Sequence, residues 1–367
     1  VHGRVSLRFH SQPTTTINSE DKTMLRRDLP LVTFVGTGNQ SRIAVLAAFD
    51  PWQDPVERRT ILQFDDYNKT TRHFYVHASC DGLVVLKLLD QCFYVCNPAT
   101  LQWLKLRALY GSNFAALYPH PSSNNEKEYH ILYYSFDPIW YYKYYVLKLG
   151  SHEPRCIGQP THSESTKNML KTRLPDTGSA PPVLVRHRLH WIHEEQQLIV
   201  FDTITESFSS MSPATTDTNA HLLRIDDTLH MGCVRRDGTM TLWALKNGYW
   251  DSTLRIQLPL ETIPSFDRQH FVGKVISDKG DVLISCHGSQ QLFYCDSTSK
   301  AVTVLQSDEY PIVSGHWFQE SLVAHDFFRM QGGDLLHPHM PRFLQGFSSS
   351  KSAWCNQLLE DDLPSSP

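Results

Sequence analysis

The chain has 367 residues, of which 41% are hydrophobic, 11% are aromatic and 20% are charged, and its formal net charge is -4. This length and apolar content allow a sizeable buried interior, while the slightly acidic balance argues against nucleic acid as a partner. No run of 18 apolar residues occurs, so we expect no transmembrane helix and no membrane partner.

Short apolar strands separated by turns occupy most of the chain. Residues 10–30 are polar and rich in Ser and Thr, and we interpret residues 1–30 as a loose N-terminal arm. From 31 to 329 the pattern is strand-like, and a short helix is expected only at Glu164–Leu174. Beyond Met330 the pattern fades, so we predict that residues 330–367 form a disordered tail.

A short phrase recurs about every fifty residues, in which an apolar strand ends in a small turn and a second strand follows. Successive turns are separated by 47, 51, 54, 44 and 50 residues (from positions 50, 97, 148, 202, 246 and 296). The turns start at Asp50, Asn97, Lys148, Asp202, Lys246 and Asp296. A strand-rich repeat of this length is typical of a propeller blade. We therefore predict an all-β fold, a β-propeller or propeller-like domain of about six four-stranded blades.

Tight hairpins supply the other half of each repeat. Asp81-Gly82, Asp237-Gly238 and Lys279-Gly280 each lie between apolar segments, and Asp-Gly favours primed turns with two residues of positive φ. The apolar run Leu83–Leu86 does not alternate, so both of its faces should be buried between neighbouring blades. To close the ring, we predict that the first blade takes a strand from Leu322–Asp326.

The cysteine content is too low for a disulfide scaffold, because only 8 of the 367 residues are Cys. Five of them lie in or beside apolar strands, namely Cys92, Cys96, Cys233, Cys286 and Cys295. We predict that these are buried free thiols, and we infer from them a reducing compartment, the cytoplasm or the nucleus.

Three segments resemble the F-box-associated domain of plant F-box proteins, which are the substrate receptors of SCF-type ubiquitin ligases. Ser79–Leu86 and Val95–Leu106 are similar to the family's "S-C-[ND]-G-L" strand and its "N-P-A-T-x-x-W-x-x-L" turn. Val183–Trp191 is similar to "V-x-V-N-G-x-L-H-W", and Ile199–Phe208 is similar to "I-x-x-F-D-x-x-T-E-x-F". The resemblance covers roughly residues 31–329 and implies a β-propeller that recognises proteins.

The resemblance implies a non-catalytic role, in which a rigid scaffold presents loops to a target protein for ubiquitination, without a cofactor or a metal. Residues 1–30 contain nothing similar to the helical F-box. They would be a remnant after it, and a Skp1-type adaptor is expected as a partner only if an F-box lies upstream. Arg186-His187 stands where the family often has Asn-Gly, so a bulkier turn or a longer hairpin is expected.

Two other functions stay open at this stage. One is a propeller enzyme, such as a glycan hydrolase or a copper oxidase, which would need carboxylates or metal ligands converging on the central axis. The other is a kelch-like scaffold unrelated to ubiquitin. His187, His190 and His193 do not favour a metal site, because strand residues three apart face opposite sides. We predict a structural role for His190.

The densest aromatic stretch is Ile139–Tyr145. Alternation along a strand would bury half of it inward, and we favour burial on both faces between blades. The other interpretation is a partner-binding patch at Trp140, Tyr141 and Tyr142, because Tyr and Trp are enriched in interface hot spots. Polar loops at 53–57, 122–126 and 215–219 are predicted to be exposed.

Overall fold

Twenty-four strands arranged as six four-stranded antiparallel sheets make up nearly all the regular structure in the described part of this computed structural model. The structure describes residues 28–35, 42–53, 56–66, 74–87, 92–121, 127–137, 141–157, 173–175, 177–178, 180–193, 197–260 and 271–328. The predicted all-β propeller of six four-stranded blades is confirmed. Within these residues, no helix is long and apolar enough to cross a membrane.

Each sheet is one blade, and the first strands of neighbouring blades lie against one another around a central axis. From the axis outward, blade 1 contains β24 (Tyr310–Phe318), β1 (Leu29–Val35), β2 (Arg42–Asp50) and β3 (Glu57–Asp66). Blade 2 contains β4 (Tyr75–Cys80), β5 (Leu83–Lys87), β6 (Phe93–Asn97) and β7 (Gln102–Leu106). Blade 3 contains β8 (Asn113–Pro121), β9 (Lys127–Asp137), β10 (Tyr141–Lys148) and β11 (Arg155–Ile157).

The remaining three blades repeat this order without a crossover. Blade 4 contains β12 (Val183–Val185), β13 (Arg188–His193), β14 (Gln197–Asp202) and β15 (Ser207–Met211). Blade 5 contains β16 (Ala220–Ile225), β17 (Thr228–Val234), β18 (Thr239–Lys246) and β19 (Tyr249–Gln257). Blade 6 contains β20 (Phe271–Val275), β21 (Val282–Cys286), β22 (Gln291–Cys295) and β23 (Val302–Gln306).

The ring is closed by β24, the last described strand, which pairs antiparallel with β1 and so completes the first blade. The register joins Leu29 to Phe318 and Val35 to Tyr310. The prediction that a late strand completes the first blade is therefore confirmed. The predicted segment, Leu322–Asp326, was wrong. That segment follows β24 and forms no strand.

Residues 319–328, here called the strap, run instead across the turns of blade 2. The Asn97 side-chain amide donates to the carbonyls of Ser321 and Val323 at 3.0 and 3.2 Å. Phe327 packs into the core between blades 2 and 3, whereas Leu322 is 67% exposed. The apolar sequence of the strap therefore resembles a strand without being one.

One apolar cluster lies between each pair of neighbouring blades, six in all within the described residues. Leu83 and Val85 pack toward blade 3, and Val84 and Leu86 pack toward blade 1. All four are at most 2% exposed, which confirms the predicted burial of both faces of this strand. A fully buried side chain of this size contributes about 1.5–3 kcal/mol, so each blade is held mainly by its neighbours.

All six recurring turns lie between the third and fourth strands of their blades. In the clearest copies, the side-chain oxygen of the first turn residue accepts hydrogen bonds from the backbone N–H groups two and three residues later. Asn97 Oδ1 accepts from the backbone N–H groups of Ala99 and Thr100 at 3.1 and 3.3 Å. Asp202 and Asp296 make the same pair of bonds. Asn and Asp recur at this position because their short side chains can satisfy the turn locally.

The hairpin turns follow the predicted geometry only in part. Asp81 and Gly82 both have positive φ, 49° and 84°, as a primed turn requires. In the turns at Gly238 and Gly280, only the glycine has a positive φ. Its backbone N–H donates a hydrogen bond to the carbonyl three residues earlier. The primed turn predicted from the Asp237-Gly238 pair was therefore wrong. Arg186-His187 forms the bulkier alternative, with φ of 47° and 62° and no lengthening of the hairpin.

Because the strands alternate in direction, each blade has two distinct ends. We call one the turn face, which carries the turns between first and second and between third and fourth strands, such as Asp81-Gly82. The other is the loop face, which carries the connections between second and third strands and between blades, such as 107–112 and 212–219.

All seven described cysteines are free, and the five predicted to be buried are buried, which confirms that prediction. Burial raises the pKa of the Cys96 and Cys295 thiols to about 12. The predicted arm, tail, helix at 164–174 and loop at 122–126 lie wholly or almost wholly outside the described residues. Their boundaries stay predictions.

Candidate protein-binding site

Part of the connection between blades 3 and 4 lies at the central axis, against the inner strands of blades 1 and 2. Thr177, on the connection between blades 3 and 4, is completely buried, and its hydroxyl lies 2.6 Å from His77 Nδ1. The His316 Nε2–H group is shared between the carbonyls of Thr177 and Val76, at 3.1 and 3.0 Å. Nearby, the Tyr134 hydroxyl donates to the Leu174 carbonyl at 3.1 Å. These contacts tie the connection to blades 1, 2 and 3.

Among the residues that the structure describes, the titratable side chains placed at the axis by these contacts and by the adjoining cavity are His77, His221, Lys274 and His316, all of them bases. The His221 Nε2 atom accepts the Val275 N–H at 2.8 Å, which fixes the ring as a neutral tautomer. Burial lowers the pKa of His221 and of His316 to about 3, and it lowers the pKa of Lys274 to about 8. Across the described ranges, no group of three or more His, Cys, Asp or Glu side chains is arranged to hold a metal ion.

The structure places the three predicted partner-binding aromatics differently from one another. Trp140 lies outside the described residues, and of Tyr141 only the backbone in β10 is described. Tyr142 is half-buried against the core between blades 3 and 4. Its ring lies edge-on to that of Tyr134, with the ring centroids 5.4 Å apart. Tyr144 belongs to the same core. The patch itself stays a prediction, and the described part of the stretch is largely core.

Exposed apolar side chains at the loop face were not anticipated from the sequence. Phe136, at the end of β9, is 60% exposed. Its ring lies edge-on to that of Tyr142, with the ring centroids 5.8 Å apart. Three more lie near the beginnings of inner strands, namely Tyr75, Val272 and Ile312, which are 47–53% exposed. For Phe136, the available signal was an aromatic residue at the end of an apolar segment of the sequence.

A groove of about 370 Å³ opens at the turn-face end of blade 3. Its floor contains His120 and His130, whose rings are stacked with centroids 4.5 Å apart. Burial and the neighbouring His120 lower the pKa of His130 to about 4. Lys148 pairs with Glu128 at 2.8 Å, and Arg155 on the groove wall pairs with Glu206 at 2.6 Å. A ligand here would have to displace an existing ion pair.

The predicted histidine series is spread over different environments. His187 is exposed in the turn, whereas His190 and His193 are buried. The His190 Nδ1 atom lies 3.2 Å from the Val183 carbonyl, so this side chain bridges β12 and β13.

The model of the F-box associated beta propeller domain matches residues 42–306, which is more than two thirds of the chain. This chain belongs to that family.

The match to the F-box associated domain begins in β2 and ends with β23. The two strands that close the ring, β1 and β24, lie outside the matched residues, yet they pair along their length. The family therefore accounts for blades 2 to 6 and the outer half of blade 1, and the structure supplies the closure. A domain of this family acts in protein recognition in general, which agrees with the exposed aromatic side chains described above.

Solved structures resemble this F-box associated domain only distantly. The Cps50 (Swd1) β-propeller domain of Myceliophteria thermophila is 12% identical, with a TM-score of 0.38, over 75% of this chain and 83% of that one. Apo AztD from Citrobacter koseri is 9% identical, with a TM-score of 0.38, over 78% and 94%. Likenesses this weak carry no functional argument. No curated protein sequence matches the chain significantly.

Proposed function

We propose that this F-box associated domain binds a target protein and presents it for ubiquitination, as the substrate-binding part of an SCF-type ubiquitin ligase in a plant. The observation that carries the proposal is the family match over residues 42–306, on a ring of six complete blades. On this proposal the domain performs no chemistry. Its packed blades hold loops in fixed positions, and the loops select the target.

The target is proposed to dock on the loop face, at the edge formed by blade 3. Phe136 is exposed there beside Tyr142, and the predicted Trp140 and Tyr141 lie between them in the sequence. Large aromatic side chains lose little conformational entropy and bury much apolar area, so they are enriched among the residues that dominate binding energy. A target with an apolar anchor would fit this surface.

The alternatives from other classes draw less support. A propeller enzyme would need acidic or metal-binding groups converging on the axis. The described groups there are Thr177 with three histidines and Lys274, and they include no carboxylate. A kelch-like scaffold unrelated to ubiquitin would share the fold and the exposed aromatics. It differs only in whether a ligase adaptor is recruited.

The proposal is tested by co-expressing the intact gene product with a Skp1-type adaptor in the cytoplasm or nucleus of a plant cell. We expect the adaptor to co-purify with the gene product only if that product contains an F-box, because recruitment requires one. Stabilisation of a bound target when the proteasome is inhibited would agree with this function. If the intact product never recovers the adaptor while still binding a target, the scaffold function replaces the ligase function.

A further inference from the structure

The groove at the turn-face end of blade 3 is built from polar side chains that the sheet register places side by side. Lys148 on β10 lies opposite His130 on β9, and His130 lies opposite Tyr118 on β8. His120 lies opposite Glu128 in the same pair of strands. Because side chains alternate along a strand, these residues share the face of blade 3 that is turned toward blade 4, beside the core to which Tyr118 belongs.

Hydrogen-bonding groups at the floor of this groove are buried without a partner. His130 is 8% exposed, and neither of its ring nitrogens makes a hydrogen bond with any residue that the structure describes. Its Nε2 atom lies 3.8 Å from a Glu128 carboxylate oxygen, which is beyond hydrogen-bond distance. The His120 Nδ1 atom and the Tyr118 hydroxyl are buried and unpaired in the same way. Such groups favour a ligand that both donates and accepts hydrogen bonds.

The charges around the floor argue against an ionic ligand. Lys148 pairs with Glu128 at 2.8 Å, and Arg155 pairs with Glu206 at 2.6 Å, so both cations of the wall already have a carboxylate. Glu153 adds a further carboxylate to the lining. An anion would therefore meet an excess of negative charge. Within the described ranges, no group of three metal-binding side chains is arranged to hold a cation here.

A hydroxyl group is the uncharged group that suits both the floor and the wall. Because its oxygen atom both donates and accepts, one hydroxyl can separate Lys148 from Glu128 and bond to both. A solvent-accessible ion pair of this kind contributes little stability, so separating it costs little. Further hydroxyls of the same ligand can reach the floor, while Pro121 and Val146 offer apolar contact to its carbon atoms.

We propose that this groove binds a neutral saccharide unit, with His120 and His130 as the hydrogen-bonding floor and the Lys148–Glu128 pair as the wall that a hydroxyl bridges. Its volume of about 370 Å³ lies within the range of roughly 300–1,000 Å³ that is typical of small-ligand pockets, and it accommodates a sugar ring. The groove opens to solvent, so the sugar is either free or the end of a glycan on a protein. The proposed docking surface for the target is on the opposite, loop face, so this inference does not rest on the ligase function.

The test is saturation-transfer NMR on the full chain with the methyl glycosides of glucose, galactose, mannose and N-acetylglucosamine. We expect saturation transfer to at least one of them, with a Kd of about 1 mM. The uronic acid and the amino sugar that correspond to the bound glycoside should bind at least about tenfold more weakly, because a charged group cannot satisfy both members of the separated ion pair.

Two variants and a matched control locate the site. Lys148→Met should weaken binding at least about tenfold, because it removes a charged hydrogen-bond partner of the sugar. Lys246→Met should keep the wild-type Kd, since Lys246 occupies the equivalent turn position in blade 5 and pairs with Asp251 at 3.2 Å. His130→Phe retains a ring without its nitrogens and should also weaken binding at least about tenfold. Lys148→Met alone decides the result if His130→Phe does not fold.

A peptide that carries the bound sugar on a serine side chain distinguishes the two sources of the saccharide. Tighter binding than that of the methyl glycoside identifies a glycosylated protein as the ligand, and equal affinity identifies the sugar alone. The proposal is overturned if none of the glycosides binds, if a charged counterpart binds as tightly as the neutral sugar, or if Lys148→Met keeps the wild-type Kd.

Discussion

Replacing Asn97 with Asp should detach the strap, although Asp occupies the corresponding turn position in blades 4 and 6. Asn97 is completely buried and uses both ends of its amide. Its oxygen accepts two turn N–H groups, and its nitrogen donates to the carbonyls of Ser321 and Val323. A carboxylate could keep the first pair of bonds, but it would turn a negative oxygen toward two carbonyl oxygens.

The expected loss follows from these contacts. Two hydrogen bonds of about 1 kcal/mol each disappear. The unpaired charge in a site without solvent access adds further cost, so the total is about 3–5 kcal/mol of unfolding free energy. The matched control is Asp296→Asn in the equivalent turn of blade 6. That turn is solvent-exposed, and its side chain has no described contact with the strap, so the change should be at most about 1 kcal/mol.

Urea unfolding at neutral pH measures both variants, and hydrogen exchange locates the effect. In Asn97→Asp, the amides of residues 319–328 should exchange faster, whereas those of blade 6 should not. A loss below about 1 kcal/mol, or one equal to that of the control, would refute the assignment of the strap as the reason for Asn at this position.

Three further outcomes are expected. Thr177→Val removes the 2.6 Å hydroxyl contact at the axis and should cost about 1–2 kcal/mol in urea unfolding; an unchanged midpoint would show that this contact does not hold the connection in place. Because the pKa of His130 is about 4 when folded and about 6.5 when unfolded, stability is lost as the pH falls between these values. His130→Gln should therefore reduce that slope by about 1.4 kcal/mol per pH unit, and equal slopes would contradict the burial of a neutral ring. Trp140→Ala with Tyr142→Ala should weaken target binding at least about tenfold, whereas Tyr249→Ala, 79% exposed on the turn face, should not; the reverse order would move the binding surface.

The repeat was predictable from sequence because its signals are local. An Asx side chain satisfies a turn within three residues, so Asn97, Asp202 and Asp296 mark their turns without any knowledge of the rest of the fold. The two-sided burial of Leu83–Leu86 follows in the same way from an apolar run with no alternation.

The closing strand was mispredicted because its residues contradict local rules. Pro311 lacks an N–H and Gly315 has a φ of 78°, so β24 resembles a turn in sequence. Proline is tolerated on an inner strand because one edge of that strand pairs with no neighbour in its own sheet. Leu322 and Val323 resemble a strand, but they form none, and Asn97 instead donates to the backbone carbonyls of Ser321 and Val323.

The candidate sites depend on contacts that sequence spacing does not encode. The axial group assembles Thr177 with His77 and His316, which are 100 and 139 residues away from it. The stacked pair of His120 and His130 requires the register of β8 on β9. The exposure of Phe136 depends on where β9 ends relative to its neighbours, and strand ends are the least predictable feature of a sheet.

Closure of the six-bladed ring by β24 is the central claim, and a disulfide between β1 and β24 tests it most directly. Thr33 and Ile312 are opposite each other in the register, at a separation that suits a disulfide. Thr33→Cys with Ile312→Cys should form an intramolecular cross-link under mild oxidation of the folded protein, identified by mass spectrometry of the linked peptides. Val304→Cys, on the outer strand of blade 6, should not cross-link with Ile312→Cys. A cross-link in the control pair alone, or one that forms between β1 and β24 only after denaturation, would contradict the closed propeller.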